Sequence, residues 1–229
     1  MRAFPLELYG IAKLYDRTPA LRATTFSVQA GQTLALLGSN GSGKTTLLKI
    51  VAGAIRPTLG RASVFGRDII EDQRALRGTI GLLAADTHLY DDLTARENVR
   101  FYATMSGTVV AVADIDAALD TVDLRLAADE RARTFSSGMK RRLSLARLLV
   151  LKPRLLLLDE PYNNLDVAGA DLVDRVIHDT SARGGATVLA THDAGRACAI
   201  AHAVAHLRQG SLTYFGTVAG YRDLNNRVG

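Results

Sequence analysis

The stretch Gly38-Ser39-Asn40-Gly41-Ser42-Gly43-Lys44-Thr45 decides the fold, because it spaces glycines, a lysine and a hydroxyl in a fixed pattern. The run 33–37 before it, apolar after Thr33, predicts a buried strand, and residues 45–51 after it predict a helix. Glycines let such a loop curl so that its N–H groups point at phosphate oxygens, and the following helix N-terminus adds partial positive charge. The stretch therefore predicts a phosphate-binding loop (P-loop) for a nucleotide, whose contacts extend to Thr46.

Within this loop, two side chains have predicted roles of their own. We expect the ammonium of Lys44 to reach the β- and γ-phosphates, where its charge also assists catalysis. We expect the hydroxyl of Thr45 to be a ligand of Mg²⁺.

A second motif carries the acid chemistry. The run Leu155-Leu156-Leu157-Leu158 predicts a buried strand, and Asp159-Glu160 delivers adjacent carboxylates at its end. P-loop enzymes place an acid near their metal in this way, so we assign Asp159 to Mg²⁺. Glu160 lies on the opposite side of the strand, and we assign it to orienting or deprotonating the attacking water. A lone Asp-Glu pair is more often a solvated strand end, but the P-loop in the same chain favours the catalytic interpretation.

The alternation of strand-like and helical runs predicts an α/β fold with a parallel sheet covered by helices. A further strand is predicted at 186–190, and helices at 166–182 and 193–200. The segment 94–150 has helical patterning and no convincing strand, and Thr94 with Glu97 forms a capping box. The first 30 residues resemble short strands with turns, and we expect them to pair as a small antiparallel sheet. We predict one unit over 1–229, with an α/β core at 1–86 and 151–229 and a helical subdomain at 87–150.

Composition limits the function classes. The chain has 229 residues and a net charge of +5, a mild excess that solvated surface explains. No apolar stretch approaches the roughly 20 residues that cross a bilayer, so in transport another chain must form the pore. The single cysteine, Cys198, forms no internal disulfide and suits a reducing cytosol.

The segment Phe135-Ser136-Ser137-Gly138-Met139 stands before a predicted helix, and with the motifs above it makes the chain resemble the ABC ATPases over nearly its whole length. The segment itself resembles the signature sequence of that family. Tyr15 stands where the family has its adenine-stacking aromatic residue, and Pro161-Tyr162-Asn163-Asn164-Leu165-Asp166 resembles the segment that ends in the D-loop. Thr191-His192-Asp193 resembles the switch-histidine loop, and Gly31-Gln32 before the first strand also agrees.

The resemblance implies a RecA-like sheet and an ATPase with ATP and Mg²⁺ at its site. Ser136 is a good helix N-cap, and exposed N–H groups at a helix start bind anions. The family places this site, with Ser137 and Gly138, against the γ-phosphate bound to a second copy, and places Asp166 at the same interface. It gives His192 a bond to the γ-phosphate, although a lone histidine after a strand is more often structural. The implied partners are a second ATPase subunit and integral membrane subunits at the cytoplasmic face of the membrane, with no nucleic acid.

The chain departs from the family pattern at two places. The glutamine that usually follows the strand at 80–83 is missing, and Ala84, Ala85 and Asp86 stand there instead. We hypothesise that Asp86 substitutes partly as a metal or water ligand and alters coupling to the membrane partner. In the signature, Ser137 replaces a glycine and Met139 a glutamine, which puts a ribose contact in doubt.

Within the family, the run 87–102, the Ser-Ser-Gly-Met signature and Tyr162 resemble the ATPase subunit of the haem exporter in cytochrome c maturation. Alternatives are another small exporter ATPase for drugs, lipids or peptides, and a soluble ABC ATPase acting on nucleic acid or ribosomes. A nucleotide-binding regulator without turnover is a third, which the intact Glu160 and His192 argue against. His202 and His206 are spaced like a metal pair, but no third ligand is evident, so we do not predict a metal there.

Overall fold

The computed structural model describes residues 4–226, which form two β-sheets and seven α-helices. The strands are β1 (Leu6–Tyr15), β2 (Thr18–Val28), β3 (Thr33–Leu37), β4 (Leu59–Val64), β5 (Arg67–Asp68), β6 (Ile80–Leu83), β7 (Leu155–Asp159), β8 (Ala186–Thr191), β9 (Ala203–Arg208) and β10 (Ser211–Thr217). The helices are α1 (Lys44–Val51), α2 (Ala95–Met105), α3 (Val112–Thr121), α4 (Ser137–Leu151), α5 (Val167–Ala182), α6 (Ala194–Ile200) and α7 (Val218–Asn226), with a 3₁₀ turn at Ala132–Thr134.

The larger sheet has the strand order β10-β9-β3-β8-β7-β6, and its strands are parallel except for β10. This confirms the predicted parallel sheet and the strands at 33–37, 155–158 and 186–190. The carboxyl ends of β3, β8 and β7 lie side by side, because Leu37 pairs with Thr191 and Asp159 with Ala190. Ligands of open α/β sheets bind at this edge, so the topology brings both predicted motifs to one place.

The smaller sheet is antiparallel, with the order β2-β1-β4-β5, and confirms the antiparallel subdomain. Its first two strands are longer than predicted, with 10 and 11 residues. Their pairing register shifts between Leu8 and Ile11 and again on both sides of Lys13. These irregularities interrupt the alternation of buried and exposed residues, which explains why the sequence suggested short strands.

The middle of the chain is helical, as predicted. Between Thr94 and Val150 the only β-pairing in the described structure is an isolated bridge from Thr94 to Arg131. Thr94 caps α2, its side chain accepting from the N–H of Glu97 while the Glu97 carboxylate accepts from the N–H of Thr94. The predicted capping box is therefore present. Among residues 4–226, every helix is too short or too polar to cross a bilayer.

Two apolar cores lie on the opposite faces of the parallel sheet. Alternate residues of each strand face opposite sides, so Leu156 and Leu158 enter one core while Leu155 and Leu157 enter the other. The first core also contains residues of α2, α3 and α4, so the helical segment shares its interior with the sheet. Because the helical segment and the sheet share this core, the core does not mark a boundary between them, and the subdomain boundaries at 87 and 150 remain predictions. The free thiol of Cys198 is buried in this core.

Candidate active site

The P-loop connects β3 to α1, as its sequence predicts, and two of its glycines are required by close backbone approaches. Gly38 has φ +150°, and a Cβ there would lie 2.3 Å from the carbonyl oxygen of Leu207. Gly43 has φ +106°, and its Cβ would lie 2.7 Å from the carbonyl oxygen of Ala20. Neighbouring backbone therefore encloses the base of the loop, and any side chain at these positions would displace it.

This packing predicts different costs for two alanine substitutions. Gly38→Ala combines an unfavourable φ with a backbone collision, and we expect it to lower the free energy of unfolding by roughly 3 kcal/mol. Gly41→Ala is the matched control, because Gly41 also has a positive φ (+76°) but open space around its Cβ, and should cost about 1 kcal/mol. Urea denaturation without nucleotide measures both values. Equal losses would contradict the packing of Gly38 against β9.

Lys44 is buried, and its ammonium is held at the mouth of the loop. It donates hydrogen bonds to the carbonyl oxygens of Gly38 (2.6 Å) and Ser39 (3.2 Å). Its Nζ also lies 3.7 Å from Oε1 of Glu160. This cation is thus positioned between the P-loop and the carboxylate that follows β7.

Thr45 and Asp159 form the pair that the sequence predicts for Mg²⁺. The Thr45 hydroxyl donates to Oδ2 of Asp159 at 2.8 Å. The other oxygen, Oδ1, is buried and accepts no hydrogen bond from the described residues. Burial raises the pKa of the Asp159 carboxyl, and the nearby charge of Glu160 acts in the same direction. A buried carboxylate oxygen without a donor, beside a hydroxyl, fits a hard cation that takes oxygen ligands.

Glu160 is held by residues of β8 and of the loop after it. Its Oε2 accepts from the Thr191 hydroxyl at 3.0 Å, and both carboxylate oxygens lie 3.1 Å from Nδ1 of His192. Its backbone has φ +45°, in the left-handed region, and its N–H donates to the carbonyl of Ala190 at 2.8 Å. The histidine side chain is 60% exposed, so it has room to turn toward a ligand. The structure thus joins the predicted base to the predicted switch histidine.

A cavity of about 480 Å³ collects most of the predicted residues. The P-loop contributes Ser39, Asn40, Gly41, Ser42, Gly43, Lys44, Thr45 and Thr46, and the end of β7 contributes Asp159 and Glu160. Ala20 of β2 and Ala85 also line it. Phosphates can therefore lie against the P-loop with the carboxylates on their far side.

Asp86 lies elsewhere. The structure puts Ala85 in the lining of this cavity, whereas Asp86 lines a separate cavity with Tyr90 and Phe101. The sequence placed both residues after β6 but did not indicate which of them faces the P-loop. A metal-ligand role for Asp86 stays a prediction that this placement does not support.

The signature residues and Asp166 also lie outside the lining of the cavity. Ser136 caps α4 by accepting from the N–H of Met139 at 3.2 Å, and Ser137 is the first residue of the helix. A Cβ on Gly138 would lie 3.2 Å from the carbonyl oxygen of Asn164. Asp166 caps α5 by accepting from the N–H of Gly169, which lowers the pKa of the Asp166 carboxyl. These residues therefore do not line the P-loop cavity of their own copy.

Tyr15, the predicted adenine contact, is half exposed at the end of β1 and is not part of the cavity lining. The ammonium of Lys13 lies 5.2 Å from the centre of its ring. The two C-terminal histidines have local partners, since Nδ1 of His202 accepts from the N–H of Thr33 and Nδ1 of His206 lies 2.8 Å from the Thr213 hydroxyl.

Sequence reasoning missed Arg141 and the role of Thr191. Arg141 of α4 is only 3% exposed and donates to the carbonyl oxygens of Asp159 and Glu160. The sequence feature that could have pointed to Arg141 is its position in a helix that is buried on most sides, because a buried cation needs polar partners. Thr191 was part of the histidine-loop motif, but the motif alone gave no indication that its hydroxyl holds Glu160.

Comparison with known proteins gives consistent matches. A sequence model described as ABC transporter matches residues 21–163. The Nod factor export ATP-binding protein I of Burkholderia pseudomallei is 34% identical over 212 residues, which cover 92% of this chain and 70% of that protein. The Fe(3+) ions import ATP-binding protein FbpC 1 of Rhodococcus jostii is 34% identical over 219 residues, 93% of this chain and 62% of that protein.

Solved structures agree with the fold. An ATP binding subunit of an ABC transporter superposes with a TM-score of 0.88 at 26% identity, covering 96% of this chain and 93% of that one. A bacterial Atm1-family ABC exporter with ATP bound gives a TM-score of 0.85 at 26% identity, covering 100% of this chain and 41% of that one.

Proposed function

This chain belongs to the ABC transporter family as an ATP-binding ATPase cassette, and on that premise we propose that two copies, facing each other head to tail, hydrolyse Mg-ATP to drive membrane subunits. One observation carries the proposal. Lys44, the Thr45–Asp159 pair and Glu160 share one cavity, whereas Ser136 and the start of α4 lie outside its lining. In the proposal, one copy supplies the phosphate loop and the base, and the second copy supplies the helix N-terminus.

In the proposed reaction, Lys44 leaves the carbonyls of Gly38 and Ser39 and binds the γ-phosphate, where its charge offsets the developing negative charge. Glu160 orients the attacking water and takes its proton, while His192 contacts the γ-phosphate and the carboxylate. The N–H groups at the start of α4 in the second copy bind the same phosphate, assisted by the Ser136 hydroxyl. Loss of the γ-phosphate then removes the contact that joins the copies.

We assign the Mg²⁺ of Mg-ATP to Thr45 and Asp159. Bound there, the ion would neutralise charge on the β- and γ-phosphate oxygens. The unpartnered Oδ1 of Asp159 is the observation that supports this assignment.

This assignment predicts opposite effects of one substitution in two conditions. Because burial raises the pKa of Asp159 above its unfolded value, the folded state holds its proton more tightly. The charged form therefore destabilises the folded chain as pH rises through that raised pKa.

We expect Asp159→Asn to increase the free energy of unfolding at pH 7 in EDTA, since the amide oxygen still accepts from Thr45. In Mg-ATP the variant should lose the extra stabilisation that Mg²⁺ gives the wild type over ATP alone. Urea titrations in both buffers measure this, and a destabilised variant in EDTA would contradict it.

Pairing is tested by the ATPase rate at increasing protein concentration. Two copies that share each ATP give a rate per mole of chain that rises with concentration and then reaches a plateau. A rate per mole that stays constant from nanomolar to micromolar protein would contradict a shared site.

The cargo is a finer proposal. The run 87–102 and Tyr162 support haem export for cytochrome c maturation, with the cassette on the cytoplasmic side of the membrane. The named relatives point to two other candidates, since one is a Nod factor export protein and another an Fe(3+) ions import protein. Purification of the chain from membranes, with identification of its bound partner, separates these alternatives. Haem export predicts that depletion stops haem attachment to cytochrome c, and normal attachment would contradict it.

A further inference from the structure

Arg141 is a buried cation whose partners are carbonyl oxygens. It lies five residues after the N-cap Ser136, in the second turn of α4, and is only 3% exposed. Burial lowers the pKa of its guanidinium, and the negative charges of Asp159 and Glu160 oppose that effect. A buried cation is costly unless its donors are satisfied, so its hydrogen bonds define what it holds.

The guanidinium joins the end of β7 to the segment after β6. Its Nη2 donates to the carbonyls of Asp159 (3.0 Å) and Glu160 (2.7 Å), and its Nε donates to the carbonyl of Pro161 (3.3 Å). Its Nη1 donates to the carbonyl of Ala84. One side chain therefore holds the carbonyls of three consecutive residues, two of which, Asp159 and Glu160, carry the carboxylates of the site.

These bonds stabilise a conformation that Glu160 does not favour by itself. A left-handed backbone is unfavourable for a residue with a side chain, so the surroundings must fix it. The N–H of Glu160 is fixed by Ala190 of β8, and its carbonyl by Arg141. The peptide orientation sets the direction of the side chain, which reaches Thr191 and His192.

We propose that Arg141 is a positioning residue for ATP hydrolysis, which holds the backbone of Glu160 so that its carboxylate meets the attacking water. This inference rests on the proposed function, because it assumes that Glu160 is the base. Arg141 is not itself part of the cavity lining, and it contacts the lining residues Asp159 and Glu160 only at their backbone carbonyls, so any effect on the reaction passes through them.

The expected positioning of Glu160 depends on the planar shape of the Arg141 guanidinium. Its planar fork donates in several fixed directions, whereas the ammonium of lysine is a single point on a flexible stem. Arg141→Lys therefore keeps the charge but cannot hydrogen-bond to all four carbonyls at once. Because a displacement of about 1 Å can cost up to 10²-fold in rate, we expect turnover to fall by about 10- to 100-fold.

Arg147 provides the matched control. It lies on the same helix, is 8% exposed, and donates to the carbonyls of Thr87 and His88 while its guanidinium packs 4.7 Å from the ring of Tyr102. Arg147→Lys loses a similar set of buried bonds without touching residues 159–161. It reports what a general loss of stability does to the rate.

The experiment measures turnover per bound ATP in full-length chains, with the bound fraction counted by a non-hydrolysable ATP analogue. For Arg141→Lys we expect analogue affinity within about threefold of wild type and the loss of turnover confined to the chemical step. Arg141→Gln, which keeps a donor but not the charge, is the second variant. If both variants lose analogue binding, Arg141 maintains the fold and the proposal is overturned.

A double-mutant cycle with Glu160→Gln decides between positioning and bulk stability. Acting through Glu160, Arg141→Lys should lower the residual single-turnover rate little or not at all in the Glu160→Gln background. Arg147→Lys should change the rate by the same factor in both backgrounds. Equal factors for Arg141→Lys in the two backgrounds would overturn the proposal, as would unchanged turnover in the wild-type background. A wild-type chain that fails to hydrolyse ATP would instead contradict the proposed function.

Discussion

Glu160→Gln should retain ATP, lose hydrolysis by about 10²- to 10⁴-fold, and accumulate an ATP-bound pair of copies. The side-chain oxygen of glutamine still accepts from the Thr191 hydroxyl, so the backbone and the cavity stay in place. What disappears is the group proposed to take the proton from water. Because the γ-phosphate then persists, the proposed contact with the second copy persists too. Phosphate release and size-exclusion chromatography with light scattering, in the presence of Mg-ATP, measure the two effects.

The matched control is Glu130→Gln, which removes one negative charge from an exposed position outside the cavity lining. It should hydrolyse ATP at the wild-type rate and show no persistent pair. Equal hydrolysis by Glu160→Gln and wild type would remove Glu160 from the role of base.

Lys44→Ala acts earlier, on binding itself. Its ammonium lies 3.7 Å from Oε1 of Glu160 and donates to the Gly38 carbonyl of the P-loop. Without this ammonium, less positive charge offsets the repulsion between the phosphates and the carboxylates of Asp159 and Glu160, so binding of ATP weakens. We expect the Kd for ATP to rise by about 10²-fold, which corresponds to about 2.7 kcal/mol. Isothermal titration with a non-hydrolysable ATP analogue measures it.

Lys49→Ala is the control for Lys44→Ala, because Lys49 lies in the last turn of the same helix and outside the cavity lining. It removes the same charge from α1 and should leave the Kd within about twofold, since screening weakens distant charges. Similar losses in the two variants would assign the effect to net charge and not to the P-loop.

The sequence predicted the parts of the fold where local pattern and tertiary position agree. All five residues of β3 and of β7 are buried, four in each strand are apolar, and uninterrupted apolar runs predict such central strands well. Helices α5 and α6 begin after Asp166 and Asp193, whose side chains cap them, so their starts were also readable. Strand β4 was missed because its first three residues are exposed and include Gly60, which leaves little alternation to detect.

The candidate site was predictable as a set of residue types but not as a geometry. Motif order placed the P-loop and the carboxylates at the ends of strands, and the strand order then brought them together. Whether Ala85 or Asp86 faces the cavity depends on how the chain turns after β6, which spacing does not encode. The four carbonyl contacts of Arg141 are likewise a property of packing between α4 and the sheet, and a cluster of basic residues at 140–142 does not single it out.

The central claim is that each ATP lies between the P-loop of one copy and the start of α4 of the other. Mixing two inactive variants tests this claim. Lys44→Ala removes the P-loop cation, and Gly138→Asp places an acid at the start of α4, where the γ-phosphate of the other copy would bind. Each variant alone should be inactive. In a mixture, half of the pairs combine both variants and contain one intact site each, so we expect about a quarter of the wild-type ATPase rate. A mixture as inactive as its components would contradict the shared site.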